Sequence, residues 1–274
     1  MIVDSHCHLD GPVFDADRDE VLARARNAGV SFMLAIGTGD GPPDLEAAIR
    51  IAEDHPDIAA TVGVHPHDAL KFDDATAAKL DALCQHPQVL AVGEIGIDYH
   101  YANSPRERQK LAFVRQMEIA AGRRKPISIH TRDAWEDTLD LLSLHWAGTG
   151  LGGIMHCFTG SSEQAARCLD MGFMLSFSGV LTFARSGDLR ATARWVPIDR
   201  LLVETDSPYL TPAPHRKIRR NEPRFVVETA RSLAGLRGIC YEEAATITTA
   251  NFRRLFVMDE RTAGGRANYG SSAT

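Results

Sequence analysis

Long apolar segments are absent from this chain, and so are closely paired cysteines. No run approaches the 18 apolar residues of a membrane-spanning helix. The first ten residues, MIVDSHCHLD, lack the basic stretch followed by an apolar one that a secretory signal would have. The five cysteines form no CxxC pair, which favours reduced, mostly buried thiols over a disulfide framework. These absences predict a soluble, cytoplasmic protein with no membrane partner.

Lysine is also scarce, and positive charge is outweighed by negative charge. Only five of the 30 basic residues are lysines, and the net charge is −6. This balance argues against a large surface for non-specific polyanion binding. It does not exclude nucleic acid bound in a small, locally basic groove. The 274 residues, 44% of them hydrophobic, can bury a full core. An α/β barrel uses about 250 residues as one domain.

Eight short apolar runs rich in β-branched residues recur through the chain, with stretches of helical periodicity between them. This alternation predicts a parallel sheet. Because no GxGxxG follows the first run, a closed (β/α)8 TIM barrel is favoured over an open doubly wound sheet. We predict one α/β domain over residues 1–258 and a polar, flexible tail over 259–274. The predicted strands cover residues 2–7, 31–36, 58–64, 89–95, 126–130, 153–157, 173–177 and 201–205. The predicted helices cover residues 17–28, 44–53, 75–84, 105–121, 134–144, 163–171 and 223–233.

Ionisable residues cluster at the ends of these predicted strands. In a (β/α)8 barrel the carboxyl ends of the strands and the loops after them carry the chemistry. A random scatter of 11 histidines would not follow this pattern. The pattern therefore predicts one polar site at that end of the barrel. The residues concerned are His6, His8, His65, His67, Glu94, His130, His156, Glu204 and Asp206.

The pair His6 and His8 is the first indication of a metal. Side chains alternate along a strand, so both imidazoles point inward while Cys7 points outward. Two imidazoles on one face can converge on one cation. The alternative is a pair of hydrogen-bonded core histidines, which the other metal-binding residue types at neighbouring strand ends disfavour.

Glu94 is the candidate bridge between two cations. Its two carboxylate oxygens can each bind one, and two cations about 3.5–4 Å apart share a water and lower its pKa enough to form hydroxide. Some related barrels use a carboxylated lysine here, but no lysine ends a strand, and Lys125 precedes the fifth one.

The remaining strand-end residues complete this predicted site. His130 and His156 would complete the second cation site, and Asp206 the first, where it could also orient or deprotonate the attacking water. Glu204 points the same way as Asp206. Its role stays open between catalysis and a hydrogen bond that positions a ligand histidine.

Seven separate motifs, in one order, resemble the TatD family of metal-dependent deoxyribonucleases over about residues 1–257. Gln109, Phe113, Gln116 and the late segment TTANFRRLF also fit. The resemblance implies a TIM barrel and hydrolysis of phosphodiester bonds in DNA, often 3′ to 5′. It also implies one cation on His6, His8, Glu94 and Asp206 and another on Glu94, His130 and His156. The motifs are DSHCHLD (4–10), GVHPH (63–67), GEIGIDYH (93–100), ISIHTRDA (127–134), HCFTG (156–160), ETDSPYL (204–210) and RNEP (220–223).

The expected substrate contacts are less specific. The basic stretch before RNEP has Ile218 where the family often has a glycine, but Arg219 and Arg220 keep its positive charge for phosphate. His65 and Arg132 are further candidates for phosphate, with a structural hydrogen bond and a surface ion pair as their alternatives. Asp98 could bond a ligand histidine or cap its loop. Tyr99 and Phe158 could stack on a base or serve only in packing.

The sequence therefore predicts a monomeric hydrolase with two divalent cations, Mg2+ or Mn2+ first and Zn2+ or Ni2+ as alternatives. The expected substrate is single-stranded nucleic acid, DNA or RNA, cut by a 3′-to-5′ exonuclease through a metal-bridged hydroxide. One alternative keeps the site but attacks a carbonyl, as in an amidase, a lactonase or a D-aminoacyl-tRNA deacylase. A second alternative is a barrel that binds metal and a partner without catalysis.

Overall fold

Eight parallel strands form a nearly closed TIM barrel in the computed structural model, which describes residues 1–38 and 41–258. The strands follow one another around the sheet in chain order, which confirms the predicted single-domain fold. Closure comes after the last strand, where the Asp206 amide donates to the His6 carbonyl and the His8 amide to the Ser207 carbonyl. The predicted tail, 259–274, lies outside the described residues. The strands are β1 Ile2–Cys7, β2 Val30–Ala35, β3 Ile58–Val62, β4 Val89–Asp98, β5 Ile127–Arg132, β6 Gly153–Met155, β7 Phe173–Phe177 and β8 Leu201–Val203.

The α-helices cover the outside of the barrel. The helices predicted from the sequence are all present, with ends shifted by up to about one turn. Two more helices, α7 and α9, were not predicted. Within the described part of the chain, no helix is long and apolar enough to span a membrane. The helices are α1 Arg18–Asn27, α2 Ala47–Asp54, α3 Asp74–Leu83, α4 Arg106–Gly122, α5 Trp135–His145, α6 Ser162–Asp170, α7 Gly187–Trp195, α8 Val226–Arg237 and α9 Tyr241–Leu255.

Helix α9 closes the amino-terminal end of the barrel. The sequence disguises it, because residues 246–249 are four consecutive β-branched residues with low helix propensity. Tertiary packing overrides that propensity: Phe252 and Phe256 join the apolar cluster that fills the inside of the barrel. The side-chain amide of Asn251 donates to the carbonyl of Leu201, where β8 begins. Apolar packing therefore fills one end of the barrel and leaves the other end for polar groups.

Strands β3, β6 and β8 end two residues earlier than predicted, at Val62, Met155 and Val203. Beyond β6 the amide of Cys157 donates to the Glu204 carboxylate, and the residue has φ of 41°. Asp206, beyond β8, has φ of 55°, in the left-handed region that L-residues seldom adopt. His156, Glu204 and Asp206 therefore lie on connecting segments rather than on strands, where side chains need not alternate.

Gly96, between Glu94 and the end of β4, allows β4 and β5 to approach closely. Its φ is 143°, and a Cβ there would lie 1.9 Å from the carbonyl oxygen of His130. We predict that Gly96→Ala lowers the free energy of unfolding by more than about 1 kcal/mol and displaces His130. Urea denaturation measures the first effect. The matched control is Gly122→Ala, where a Cβ meets nothing within 4 Å; equal stability of the two variants would contradict the prediction.

Candidate metal centre

The carboxylate of Glu94 lies at the centre of the polar end of the barrel, with only 2% of the residue exposed. One of its oxygens, Oε2, is 3.5 Å from Nε2 of His6 and 3.6 Å from Nε2 of His8. Oδ1 of Asp206 is 3.7 Å and 3.4 Å from the same two nitrogens. The two nitrogens are themselves 3.3 Å apart. We call these four side chains the first donor group.

The other oxygen of Glu94, Oε1, faces a different set of imidazoles. It is 2.8 Å from Nδ1 of His130 and 2.9 Å from Nε2 of His156. Nε2 of His65 is slightly farther away, at 3.7 Å. We call Glu94, His130 and His156 the second donor group. The two oxygens of one carboxylate therefore point to two different sets of donor atoms, which adjoin each other, since the ring centroids of His6 and His156 lie 3.7 Å apart.

Both groups have the chemistry that a divalent cation requires, and the first also has the spacing; the 2.8 and 2.9 Å contacts of the second are hydrogen-bond distances. Imidazole nitrogens and carboxylate oxygens bind such cations at about 2.0–2.2 Å, so two ligands of one cation lie about 3.0–3.6 Å apart. The separations of 3.3–3.7 Å in the first donor group match this spacing. The side chains predicted from the strand ends therefore fit divalent cations. Donor atoms within 4.8 Å of one another form three sets: His6, His8 and Glu94; His65, Glu94 and His130; and His6, His156 and Asp206.

A second carboxylate stands behind each histidine of the second donor group. Nδ1 of His156 is 3.0 Å from Oε1 of Glu204, and Nε2 of His130 is 3.1 Å from Oδ2 of Asp98. A carboxylate in this position fixes the ring orientation and leaves the other nitrogen free to bind a cation. Glu204 is fully buried and is not among the residues that line the cavity. This geometry favours its positioning role over direct catalysis.

Asp98 performs both of the roles that the sequence left open. While Oδ2 contacts His130 and His67 (3.0 Å), Oδ1 accepts the backbone amides of His100 and Tyr101. It therefore ties the loop after β4 to the second donor group.

Burial and neighbouring charges shift the pKa values in the site in both directions: the carboxylates raise those of His8, His130 and His156 despite burial, whereas that of His6 is lowered. Burial, with the neighbouring ring of His156, lowers the pKa of His6 to about 4, so His6 is neutral and keeps a free lone pair. Burial opposes ionisation of Glu94, but the charge of His156 and hydrogen bonds from His130 and His156 hold its pKa well below the usual value. At neutral pH the centre therefore holds a charged carboxylate between the two donor groups.

Asn221 holds the loop that carries Asp206, a role that the sequence did not reveal. Its side-chain amide donates to the carbonyl of Thr205 at 2.9 Å and to that of Tyr209 at 2.5 Å, on either side of Asp206. Asn221 is fully buried. The RNEP motif, which contains Asn221, was a possible signal of this role. The sequence analysis connected that region with phosphate binding instead of with fixing a loop.

Asp4 makes a similar link beneath the site. Its carboxyl group accepts the backbone amide and the hydroxyl of Thr205, at 2.9 and 2.6 Å, and so joins β1 to the segment after β8. Burial raises the pKa of Asp4 to about 8. Because Asp4 precedes His6 by two residues, it fixes the strand that presents both histidines.

An open cavity of about 760 Å3 lies above the two donor groups. Of the predicted substrate contacts, His65 and Arg132 line it, whereas Arg219 and Arg220 do not. The guanidinium of Arg220 instead pairs with Asp17 at 2.6 Å.

The predicted stacking partners also lie elsewhere. Phe158 is buried, and Tyr99 donates its hydroxyl to Asp137 with the Arg106 guanidinium over its ring. The structure thus brings the metal-binding candidates together but separates several of the predicted substrate contacts.

Taken together, the barrel and its histidine–carboxylate centre define a metal-dependent hydrolase. The model of the family described as "TatD related DNase" matches residues 3–257 of this chain. The chain therefore belongs to the TatD family, as its motifs indicated.

Similar proteins cover nearly the whole chain. It is 43% identical over 262 residues to the Escherichia coli K12 protein named "Uncharacterized metal-dependent hydrolase YcfH", covering 94% of this chain and 97% of that one. It is 39% identical over 256 residues to "3'-5' ssDNA/RNA exonuclease TatD" of Klebsiella pneumoniae, covering 92% and 96%. The crystal structure of YJJV, a TatD homologue from E. coli K12, superposes with a TM-score of 0.86 at 28% identity, covering 94% and 98%.

The bond between Asp98 and His130 gives a prediction about metal affinity. Asp98→Asn places an amide N–H against the ring, so His130 loses its acceptor and its fixed orientation. We expect the cation at the second donor group to bind about 10- to 100-fold more weakly, as measured by calorimetric titration of the metal-free protein with Mn2+. The matched control is Asp133→Asn in an exposed pair with His100. Unchanged affinity in Asp98→Asn would contradict the prediction.

Proposed function

We propose that this protein is a divalent-metal-dependent nuclease that hydrolyses phosphodiester bonds at the 3′ end of single-stranded DNA or RNA. One observation carries the proposal: the two oxygens of Glu94 face two separate donor groups at the floor of an open cavity. A pair of cations is suited to phosphodiesters, because both the attacking and the leaving oxygen need stabilisation. The exonuclease named among the relatives supports this substrate class.

The first cation would be held by His6, His8, Glu94 and Asp206, and the second by Glu94, His130 and His156. When bound, such cations neutralise the charge of a phosphate and bring the pKa of water close to neutrality. Mg2+ and Mn2+ suit the phosphate chemistry, while imidazole ligands also accept Zn2+ or Ni2+.

Asp206 is the residue that we assign to proton transfer. Its carboxylate belongs to the first donor group and reaches the cavity, with 9% of the residue exposed. It can therefore orient a water and accept its proton, while Glu94 is enclosed by imidazoles. The clamp formed by Asn221 around its loop holds it in that position.

We assign phosphate binding to His65 and Arg132, which both line the cavity. Nδ1 of His65 accepts the backbone amide of His67 at 3.2 Å, so the ring proton is on Nε2, the nitrogen that faces Glu94. Burial lowers the pKa of His65 well below its usual value, so this ring acts as a neutral N–H donor. Arg132 supplies positive charge at the cavity wall. A few such contacts suit an enzyme of net charge −6 that binds a strand end rather than a duplex surface.

Loss of the Asp206 carboxylate gives a direct test of the proposal. We expect Asp206→Asn to cut the rate of metal-dependent degradation of 5′-labelled single-stranded DNA about 100-fold or more, because proton acceptance is lost. Gel analysis of the shortened products also reports polarity. The control is Asp188→Asn, on the exposed side of α7, with circular dichroism to verify folding.

Parallel assays with RNA and with D-aminoacyl-tRNA separate the substrate classes. Hydrolysis of the aminoacyl ester without shortening of any oligonucleotide would overturn the nuclease proposal in favour of attack on a carbonyl. Bound metal without turnover of any of these substrates would favour a non-catalytic protein.

The cation count gives a second test. We expect native mass spectrometry to find two divalent cations in the wild type, and one each in His8→Ala and His156→Ala, because each variant loses a ligand of a different donor group. Chelation should abolish hydrolysis in the wild type, and added Mn2+ should restore it. A wild-type protein that binds one cation at saturation would contradict the bridging role of Glu94.

A further inference from the structure

Two tyrosine rings are left exposed at the cavity above the metal centre. Tyr101 is 56% exposed and Tyr209 is 60% exposed, and both line the cavity. Among the described residues, most other large exposed hydrophobic side chains lie away from this cavity. Exposed aromatic rings around a polar site indicate a ligand with apolar faces of its own.

Tyr101 belongs to the wall beside the second donor group. Asp98, which holds His130, also accepts the backbone amide of Tyr101 at 2.9 Å. The rings of His67 and His100 contact its ring nearly at right angles, with centroids 5.5 and 4.8 Å away. The ring is therefore held in place from two sides, although more than half of the residue is exposed.

Tyr209 belongs to the wall beside the first donor group. Its amide donates to the carbonyl of Asp206 at 2.8 Å, and its own carbonyl accepts the side chain of Asn221. Its ring lies 5.9 Å from that of His8 at an angle of 74°. Each donor group thus has one exposed tyrosine fixed by the same residues that fix its ligands.

We propose that Tyr101 and Tyr209 form a nucleobase-binding site, in which each ring stacks on a base next to the scissile phosphodiester. This inference rests on the proposed nuclease function and extends it to how the cavity holds its substrate. A phosphate above the two donor groups has one nucleoside on each side, and each donor group has one of the two tyrosines beside it. Stacking tolerates any base, because every base has a π face.

Arg132 completes the wall at Tyr101. Its guanidinium lies over one face of the Tyr101 ring, 4.9 Å from the centroid, and lines the same cavity, so a base would stack on the other face. A cation beside an aromatic ring offers one contact to a phosphate and another to the adjoining base. A nucleotide, with an anionic group next to a flat ring, has the matching chemistry.

The test compares oligonucleotides that carry or lack a base beside the scissile bond. Three 5′-labelled single-stranded DNA substrates are compared. One carries all its bases, one has a tetrahydrofuran abasic residue at the 3′-terminal position, and one has it at the penultimate position. The wild type, Tyr101→Leu and Tyr209→Leu are assayed with Mn2+ for kcat/KM. Tyr101→Phe and Tyr209→Phe, which keep the ring, serve as the conservative variants.

We expect each leucine variant to lose about 5- to 100-fold in kcat/KM on the strand with all its bases. On the strand whose abasic residue occupies the site facing that tyrosine, the same variant should match the wild type, because no base remains to stack. Both phenylalanine variants should retain most of the efficiency on normal strands. Trp195 is 53% exposed on α7 and does not line the cavity. Trp195→Leu should therefore leave kcat/KM unchanged on both normal and abasic strands.

The outcomes separate the two proposals. An equal loss by a leucine variant on every normal and abasic strand, or no loss at all, would overturn the nucleobase site and leave the nuclease function standing. If the wild type shortens none of the oligonucleotides with any divalent cation, the nuclease function falls and the nucleobase site falls with it. A direct test uses strands with 2-aminopurine next to the 3′ end and the Asp206→Asn variant. Its binding should quench the 2-aminopurine fluorescence, and the quenching should be lost when Tyr101→Leu or Tyr209→Leu is added to that variant.

Discussion

One buried carboxylate organises this active centre. Glu94 is almost fully enclosed, and an ion so placed is tolerated only if it is paired on all sides. His6 of β1 and His8, just beyond it, lie near one of its oxygens, and His130 of β5 and His156, just beyond β6, lie near the other. Because its pKa stays well below normal, the carboxylate remains charged and can attract divalent cations. The positions of the surrounding residues are set by the requirement to compensate this charge.

A second constraint is the closure of the barrel between β1 and β8. The first donor group combines His6 and His8 from the beginning of the chain with Asp206, about 200 residues later. Backbone bonds across the seam, the Asp4–Thr205 contacts and the clamp of Asn221 all fix this junction. The geometry of the site therefore depends on a network of neutral and buried polar groups, which costs little solvation because its members satisfy one another.

The two ends of the barrel divide stability from chemistry. Apolar side chains of the strands pack with Phe252 of α9 in one buried cluster. The opposite end holds buried and half-buried histidines and carboxylates beneath an open cavity. This division lets the strands stay rigid while their carboxyl ends present the reactive groups, as is general for barrels of this kind. Because the apolar core lies at the other end, rings such as Tyr101 can stay exposed at the cavity without removing apolar contacts from the core.

The periodicity of the sequence alone predicted the barrel, and the residue types at the strand ends predicted the metal ligands, because alternation along a strand is a local property. The family followed from motifs in a fixed order. Helix α9 was missed because its β-branched run conceals a helix that only packing stabilises. Other features could not be read from the sequence because they depend on residues far apart in the chain. Examples are the bond between Glu204 and His156, the ion pair that takes Arg220 to Asp17, and the burial of Phe158. The chain itself thus determined which residues could bind metal. Only the tertiary structure decided which oxygen of Glu94 faces which histidines, and which aromatic rings reach the cavity, because those contacts depend on barrel closure and on loop conformations with no local signal.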